Sequence, residues 1–131
     1  MRIPDFIEGC IAPVFTAFHE DGAFDATGQC HLLDFMFERG GISAYFVRSG
    51  LGQMYTFEME DVMQMATTAC GHLSGQAPVL VGCSGIWDRN YDHRPDPALY
   101  LEQAIVLSRF AEDAGAAGVV HTNPEALLPE P

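Results

Sequence analysis

The 131-residue sequence contains no lysine. Its six basic residues are all arginines: Arg2, Arg39, Arg48, Arg89, Arg94 and Arg109. Schiff-base chemistry needs an uncharged amine nucleophile, usually a lysine with a depressed pKa, so this chain cannot perform it with a lysine of its own. Positive charge is scarce in general. Eighteen acidic residues against six basic ones leave a net charge of -12. That balance argues against nucleic acid and against anionic membrane surfaces as partners. No stretch approaches the ~18 apolar residues of a membrane span. The opening Met1-Arg2-Ile3-Pro4-Asp5 lacks the apolar segment of a secretory signal, so a cytoplasmic location is expected. The four cysteines, Cys10, Cys30, Cys70 and Cys83, form no C-x-x-C pair. They are expected as small buried thiols in a reducing compartment, Cys10 and Cys83 on strands and Cys30 and Cys70 on helices. No G-x-G-x-x-G follows the first apolar run, which weakens a dinucleotide-binding reading.

What is present is a packed α/β pattern. Hydrophobic residues make up 48% of the chain, enough for a core in one domain. A first strand is expected over Cys10–Phe18, with Pro13 an unusual member because proline donates no ladder hydrogen bond. After the turn His19-Glu20-Asp21-Gly22, Asp25 caps a helix that runs to Arg39 and stops at Gly40-Gly41. Cys30, Leu33 and Phe37 recur on it at helical spacing, as do Leu32 and Met36. The second strand is Ala44–Val47. A second helix opens near Glu58, with Glu60 and Asp61 in its first turn, where the dipole favours acid. Its apolar face is Met59, Val62, Met63, Ala66 and Cys70. Pro78–Gly82 is a continuous apolar run, as in a sheet covered on both faces. Asp96-Pro97 opens a third helix that reaches Ala114, with Leu101, Ile105, Ser108 and Ala111 on one face. A fourth strand begins at Gly118 and runs to Thr122. Alternation of this kind means parallel βαβ units, either in a doubly wound open sheet or in part of a (β/α)8 barrel.

Two segments carry candidate chemistry. Arg48-Ser49-Gly50-Leu51-Gly52 follows the second strand as a Gly-rich turn. Backbone N–H groups of such a turn approach a small anion, and Arg48 adds a guanidinium. The alternative is a tight turn whose glycines serve chain geometry, with Arg48 in a salt bridge on the rim. The loop Ser84–Pro95 holds Trp87, Asp88, Arg89, Tyr91, Asp92, His93 and Arg94. Its aromatic and charged density suits substrate selection, a lid or a subunit contact, against the alternative of a solvated insertion. Asp88, Asp92, His93 and His121 match no familiar metal-ligand spacing.

In order and spacing these segments resemble the N-terminal part of the dihydrodipicolinate synthase / N-acetylneuraminate lyase family. The resemblance rests on Gly9–Thr16, His19–Gly22, the turn Ser49–Gln53, Thr56-Phe57, Glu60-Asp61, Pro78–Gly82 and Ala111–Gly118. It implies the first half, strands one to four, of a TIM (β/α)8 barrel, with residues 1–131 as one partial barrel domain without an internal boundary. It also implies a Schiff-base aldolase or lyase acting on pyruvate or a related 2-oxo acid, with no cofactor and no metal. The turn Arg48, Ser49, Gly50, Leu51 and Gly52 becomes the substrate-binding segment, and Trp87, Asp88, Arg89, Tyr91 and His93 a specificity loop. The chain departs from the family pattern in places. The family's two carboxylate-holding threonines fall on Gly50 and Leu51, and its Pro-Tyr-Tyr falls on Pro124-Glu125-Ala126. The loop Ser84–Pro95 is longer than usual. The family's lysine and catalytic tyrosine would lie beyond Pro131. A truncated half-barrel is therefore expected, either as a homo-oligomer or with the remainder of a longer chain. The alternative is a non-catalytic binding or assembly module derived from the same barrel.

Overall fold

The computed structural model describes residues 3–87, 90, 92 and 96–122. Four strands, β1 (Ile11–Pro13), β2 (Ala44–Val47), β3 (Val79–Gly82) and β4 (Gly118–Val120), alternate with three helices, α1 (Ala26–Arg39), α2 (Met59–His72) and α3 (Pro97–Asp113). Short 3-10 turns occupy Asp5–Glu8 and Met54–Thr56. The sheet is wholly parallel and its spatial order is β1-β2-β3-β4. That order separates the two architectures left open by the sequence. A doubly wound sheet reverses direction at a switch point, whereas right-handed crossovers in unbroken order put every helix on one face, as in a barrel. Fold class and element order therefore agree with the half-barrel expectation.

One face of the sheet builds the core. Tyr45 pairs with Val79, and Val47 with Val81, so these four side chains share the helix-facing side. They pack with Leu33 of α1, Val62, Met65 and Ala69 of α2, and Leu107 and Ala111 of α3. Full burial of a leucine such as Leu33 contributes about 1.5–3 kcal/mol. Each helix start has a local cause. The Asp25 carboxylate accepts a hydrogen bond from the Gly28 N–H at 2.9 Å. Glu58 and Asp61 form a reciprocal capping box, and Asp96 accepts from Ala98 N–H with Pro97 behind it. Removing the first cap gives a modest, readable effect. Asp25→Ala is expected to lower stability by about 1 kcal/mol, seen as a shifted denaturation midpoint with an unchanged m-value.

Several details differ from expectation. The first strand ends at Pro13, not Phe18. Proline has no N–H to extend the ladder, and after one further bond, Val14 N–H to Phe46 O, the chain turns away. Phe18 then bridges antiparallel to Phe24. On α3 the buried stripe is Tyr100, Ala104, Leu107 and Ala111, while Leu101 and Ile105 are exposed at 61% and 44%. The buried stripe joins the core with α2. Leu101 and Ile105 lie on the flank beside β4, in a groove of about 290 Å³ shared with Ala104, Ser108, Arg109 and His121. On α1, Leu33 is buried and Leu32 and Met36 pack on the core, but Phe37 is exposed. Cys10 is exposed and precedes β1, and Cys83 lies one residue past β3; only Cys70 and Cys83 are fully buried thiols. The methionines of α2 are core, with Met65 buried and Met59 and Met63 packed against it. No helix among the described residues is long and apolar enough to cross a membrane.

Candidate functional site

Parallel strands in sequence order bring all four carboxyl ends to one edge of the sheet. A hydrogen-bonded belt runs along that edge. Past β1, the Thr16 hydroxyl donates to the Gly52 carbonyl at 2.6 Å. Gly52 N–H in turn donates to both the Ser49 carbonyl (3.0 Å) and the Ser49 Oγ (3.1 Å). Met54 N–H donates to the same Ser49 carbonyl, and Gln53 N–H to Gly50 O. The turn after β2 is thus closed on itself by its own backbone, with Ser49 buried and Gly50 and Leu51 exposed. The N–H groups of Gly50 and Leu51 donate to no described residue. Two adjacent N–H donors without a described partner, on an exposed turn, are the elements of a small-anion nest.

Gly52 is required where it stands. A Cβ there would meet the Val14 carbonyl at 2.7 Å. Gly82 is tighter still: a Cβ would meet the Arg48 carbonyl at 2.3 Å. The ends of β2 and β3 therefore approach more closely than any side chain on β3 would permit.

Arg48 is the unexpected member. It is 2% exposed and adopts a left-handed backbone, φ 51°. Its Nη1 donates to the carbonyls of Gly82 at 3.0 Å and Ser84 at 2.5 Å, and its Nη2 to the Gly85 carbonyl at 3.2 Å. Nε has no hydrogen-bond partner among the described residues. Among the described residues no carboxylate pairs with it and no rim salt bridge forms; the fork faces inward, onto the β3 exit. Burial pushes the guanidinium pKa down; the Tyr100, Cys83 and Tyr55 side chains act weakly in the opposite direction.

The belt continues to β3 and β4. Ser84 is buried, and its Oγ accepts from Thr122 N–H at 2.7 Å and lies 2.9 Å from the Thr122 hydroxyl. Ile86 N–H donates to the Gln103 side chain of α3, and Gly85 packs against the Tyr100 ring. Trp87 meets Tyr55 edge-on, ring centroids 5.9 Å apart, and so joins the segment after the turn to the loop after β3. Asp88, Arg89, Tyr91 and His93 of the expected specificity loop lie outside the described residues, as do Arg94 and Pro124-Glu125-Ala126. Behind the belt, burial pushes the Cys83 thiol up to about 11, against weaker lowering by Arg48 and by a Ser108 hydrogen bond. Among the described residues no three His, Cys, Asp or Glu side chains come together to hold a metal.

Sequence reasoning placed the turn at this edge but missed Thr16, Gly82, Ser84 and Thr122. Their signal is small: each is a short polar residue or glycine at or just beyond a strand end. The chain matches the model of the Dihydrodipicolinate synthetase family over residues 6–125. It is 33% identical over 116 residues to a putative 2-dehydro-3-deoxy-D-gluconate aldolase, YagE, of Escherichia coli K12, covering 88% of this chain and 34% of that protein. It is 31% identical over 110 residues to a 4-hydroxy-tetrahydrodipicolinate synthase of Dechloromonas aromatica, covering 84% and 33%. The crystal structure of YagE in complex with pyruvate superposes with a TM-score of 0.72 at 30% identity, over 86% of this chain and 33% of that one. Dihydrodipicolinate synthase from Aquifex aeolicus, at 23% identity, shares the fold with a TM-score of 0.71. The chain thus spans about a third of the length of the curated relatives it matches.

Proposed function

The chain belongs to the dihydrodipicolinate synthetase family, and from that premise we propose that it forms the 2-oxo-acid-binding part of a Schiff-base aldolase or lyase barrel. In this reading the turn Ser49–Gly52 cradles the carboxylate of pyruvate or a related 2-oxo acid. The Gly50 and Leu51 N–H groups donate to it, Ser49 and Gly52 hold the turn's shape, and Arg48 supports it from below. Trp87 flanks the entrance, and the loop that also carries Asp88, Arg89, Tyr91 and His93 selects the rest of the substrate. The amine that adds to the oxo carbon, with loss of water to give the imine, comes from polypeptide outside these 131 residues, because the sequence has no lysine. The observation that carries the reading is the pair of N–H groups without a described partner at the carboxyl edge of a parallel sheet, where barrel enzymes bind ligands.

A second reading, a non-catalytic binding or assembly module, is favoured by Gly50 and Leu51 themselves. They carry no hydroxyl at positions where the family resemblance implies threonines. One pair of experiments tests both. Pyruvate titrated into the chain is expected to move the Gly50 and Leu51 amide resonances, with an affinity no tighter than about millimolar for so few donors. Pyruvate plus borohydride is expected to leave the mass of the 131-residue chain unchanged and to trap an adduct on a longer protein that carries the second half-barrel. No shift at Gly50 or Leu51 would sink the carboxylate cradle. Binding without an adduct on the longer protein would select the non-catalytic module.

A further inference from the structure

We propose that Arg48 is a positioning residue that couples the anion-binding turn to the loop after β3, and that it acts through the backbone rather than by touching the ligand. The proposal deepens the carboxylate-cradle reading and rests on it. Three observations carry it. First, the guanidinium is almost fully buried yet faces carbonyls on three different peptide units, Gly82, Ser84 and Gly85. A cation enclosed without a carboxylate among the described residues pays a desolvation penalty, and each carbonyl it satisfies gains a buried donor. Secondly, its backbone is left-handed at φ 51°, a region unfavourable for a side chain of this size. That single reversal carries the chain out of β2 and into the turn, so the anchor of the side chain also sets where Ser49–Gly52 points. Thirdly, Gly82 has no side chain at the one place where the Arg48 backbone crosses β3.

The consequence is mechanical and electrostatic. Ser84 is bonded onward to Thr122, and Gly52 back to Thr16, so the Arg48 fork links the exits of β1, β2, β3 and β4 into one unit. Trp87 stands two residues beyond Gly85 and touches Tyr55, on the far side of the turn. A carboxylate entering the Gly50–Leu51 nest is thereby felt at Trp87. The positive charge, which no described carboxylate pairs, also raises the local potential that attracts the anion. The position thus lets a turn without threonine hydroxyls remain preorganised.

The test is a pyruvate titration of the full 131-residue chain followed by amide and indole resonances, for the wild type and for Arg48→Gln. Glutamine keeps one donor but loses the charge and the fork. Wild type is expected to show the Trp87 indole, the sole tryptophan, titrating with the same midpoint as Gly50 and Leu51. Arg48→Gln is expected to bind pyruvate about tenfold or more weakly, the loss expected when a charge-assisted hydrogen-bond set is removed. If folded Arg48→Gln binds within about twofold of wild type, the positioning role is overturned while the cradle stands. If wild type does not bind pyruvate, the cradle reading fails. The clamp is then judged by hydrogen exchange at Gly52 and Met54, expected to quicken about tenfold or more in Arg48→Gln with α1 unchanged; equal rates at those two amides would overturn it. Should Arg48→Gln not fold, the wild-type midpoints decide, because a Trp87 signal that ignores pyruvate while Gly50 and Leu51 respond contradicts the coupling.

Discussion

Gly82→Ala is expected to destabilise the chain by about 3 kcal/mol, which for a domain of this size lowers the melting temperature by roughly 10–15 °C. The added methyl would stand 2.3 Å from the Arg48 carbonyl oxygen and 3.2 Å from its carbonyl carbon. Backbone cannot rotate away as a flexible side-chain end can. Relief therefore requires β2 and β3 to separate at their carboxyl ends. Separation stretches the Arg48 bonds to Gly82, Ser84 and Gly85 together, since all three acceptors ride on the β3 exit. The methyl also gains alanine's backbone-entropy advantage over glycine, about 0.5–1 kcal/mol, because Gly82 is a strand residue with no positive φ. That gain is smaller than the overlap. Thermal unfolding of Gly82→Ala beside Gly71→Ala makes the comparison clean. A Cβ at Gly71 meets nothing within 4 Å, so that variant is expected to be neutral or stabilising through helix propensity. Equal melting temperatures for the two variants would show that the β2–β3 crossing has slack that the geometry does not show.

The same crossing marks how far the sequence could be read. Ala44–Val47 and Pro78–Gly82 are visible as strands because short apolar runs between turn signals have few other uses, and Asp25 and Asp96-Pro97 announce helix starts chemically. The order of these elements, with the motif sequence around them, was enough for the barrel half and the family. Face assignment on α3 failed for a physical reason. Leu101, Ile105, Ser108 and Ala111 keep helical spacing as well as Tyr100, Ala104, Leu107 and Ala111 do. Which stripe is covered depends on neighbours that the helix's own sequence does not name: Ala111 is buried in either, but Leu101 and Ile105 are exposed while Tyr100, Ala104 and Leu107 are covered. Arg48 was legible as the first residue of the turn after β2 but not as buried. Arginine is among the residues least often enclosed, and nothing local signals that its acceptors are supplied 34 to 37 residues later. The belt of Thr16, Ser84 and Thr122 was hidden likewise, because hydroxyls at strand ends are common and their partners are remote.

Alkaline pH is expected to unfold the chain early, and the buried thiols are the reason. Burial pushes Cys70 and Cys83 each to about 11 from an ordinary 9.0. Below pH 9 both are neutral in the folded and the unfolded chain, and their stabilising contribution is fully present. Between 9 and 11 the unfolded chain releases these protons while the folded chain retains them, so the unfolded state binds fewer protons and stability falls as pH rises. Above 11 both states ionise and the slope flattens. Raised that far, the pair together removes on the order of 3–5 kcal/mol, a large share of a typical domain's total. The Tyr45 phenol, also raised by burial, adds in the same direction. The measurement is a denaturant midpoint at intervals from pH 7 to 11, for wild type and for Cys70→Ala/Cys83→Ala. Wild type should be flat to about pH 9 and then fall steeply; the double variant should start lower, because two packed thiols are gone, and fall less. Added salt separates this effect from repulsion among the acidic surface groups, since screening relieves surface repulsion and leaves buried groups nearly untouched. A double variant that falls as steeply as wild type would mean that Cys70 and Cys83 reach water before the chain unfolds. Cys83 touches the β3 exit beside Arg48, so that outcome would also mean the belt opens first.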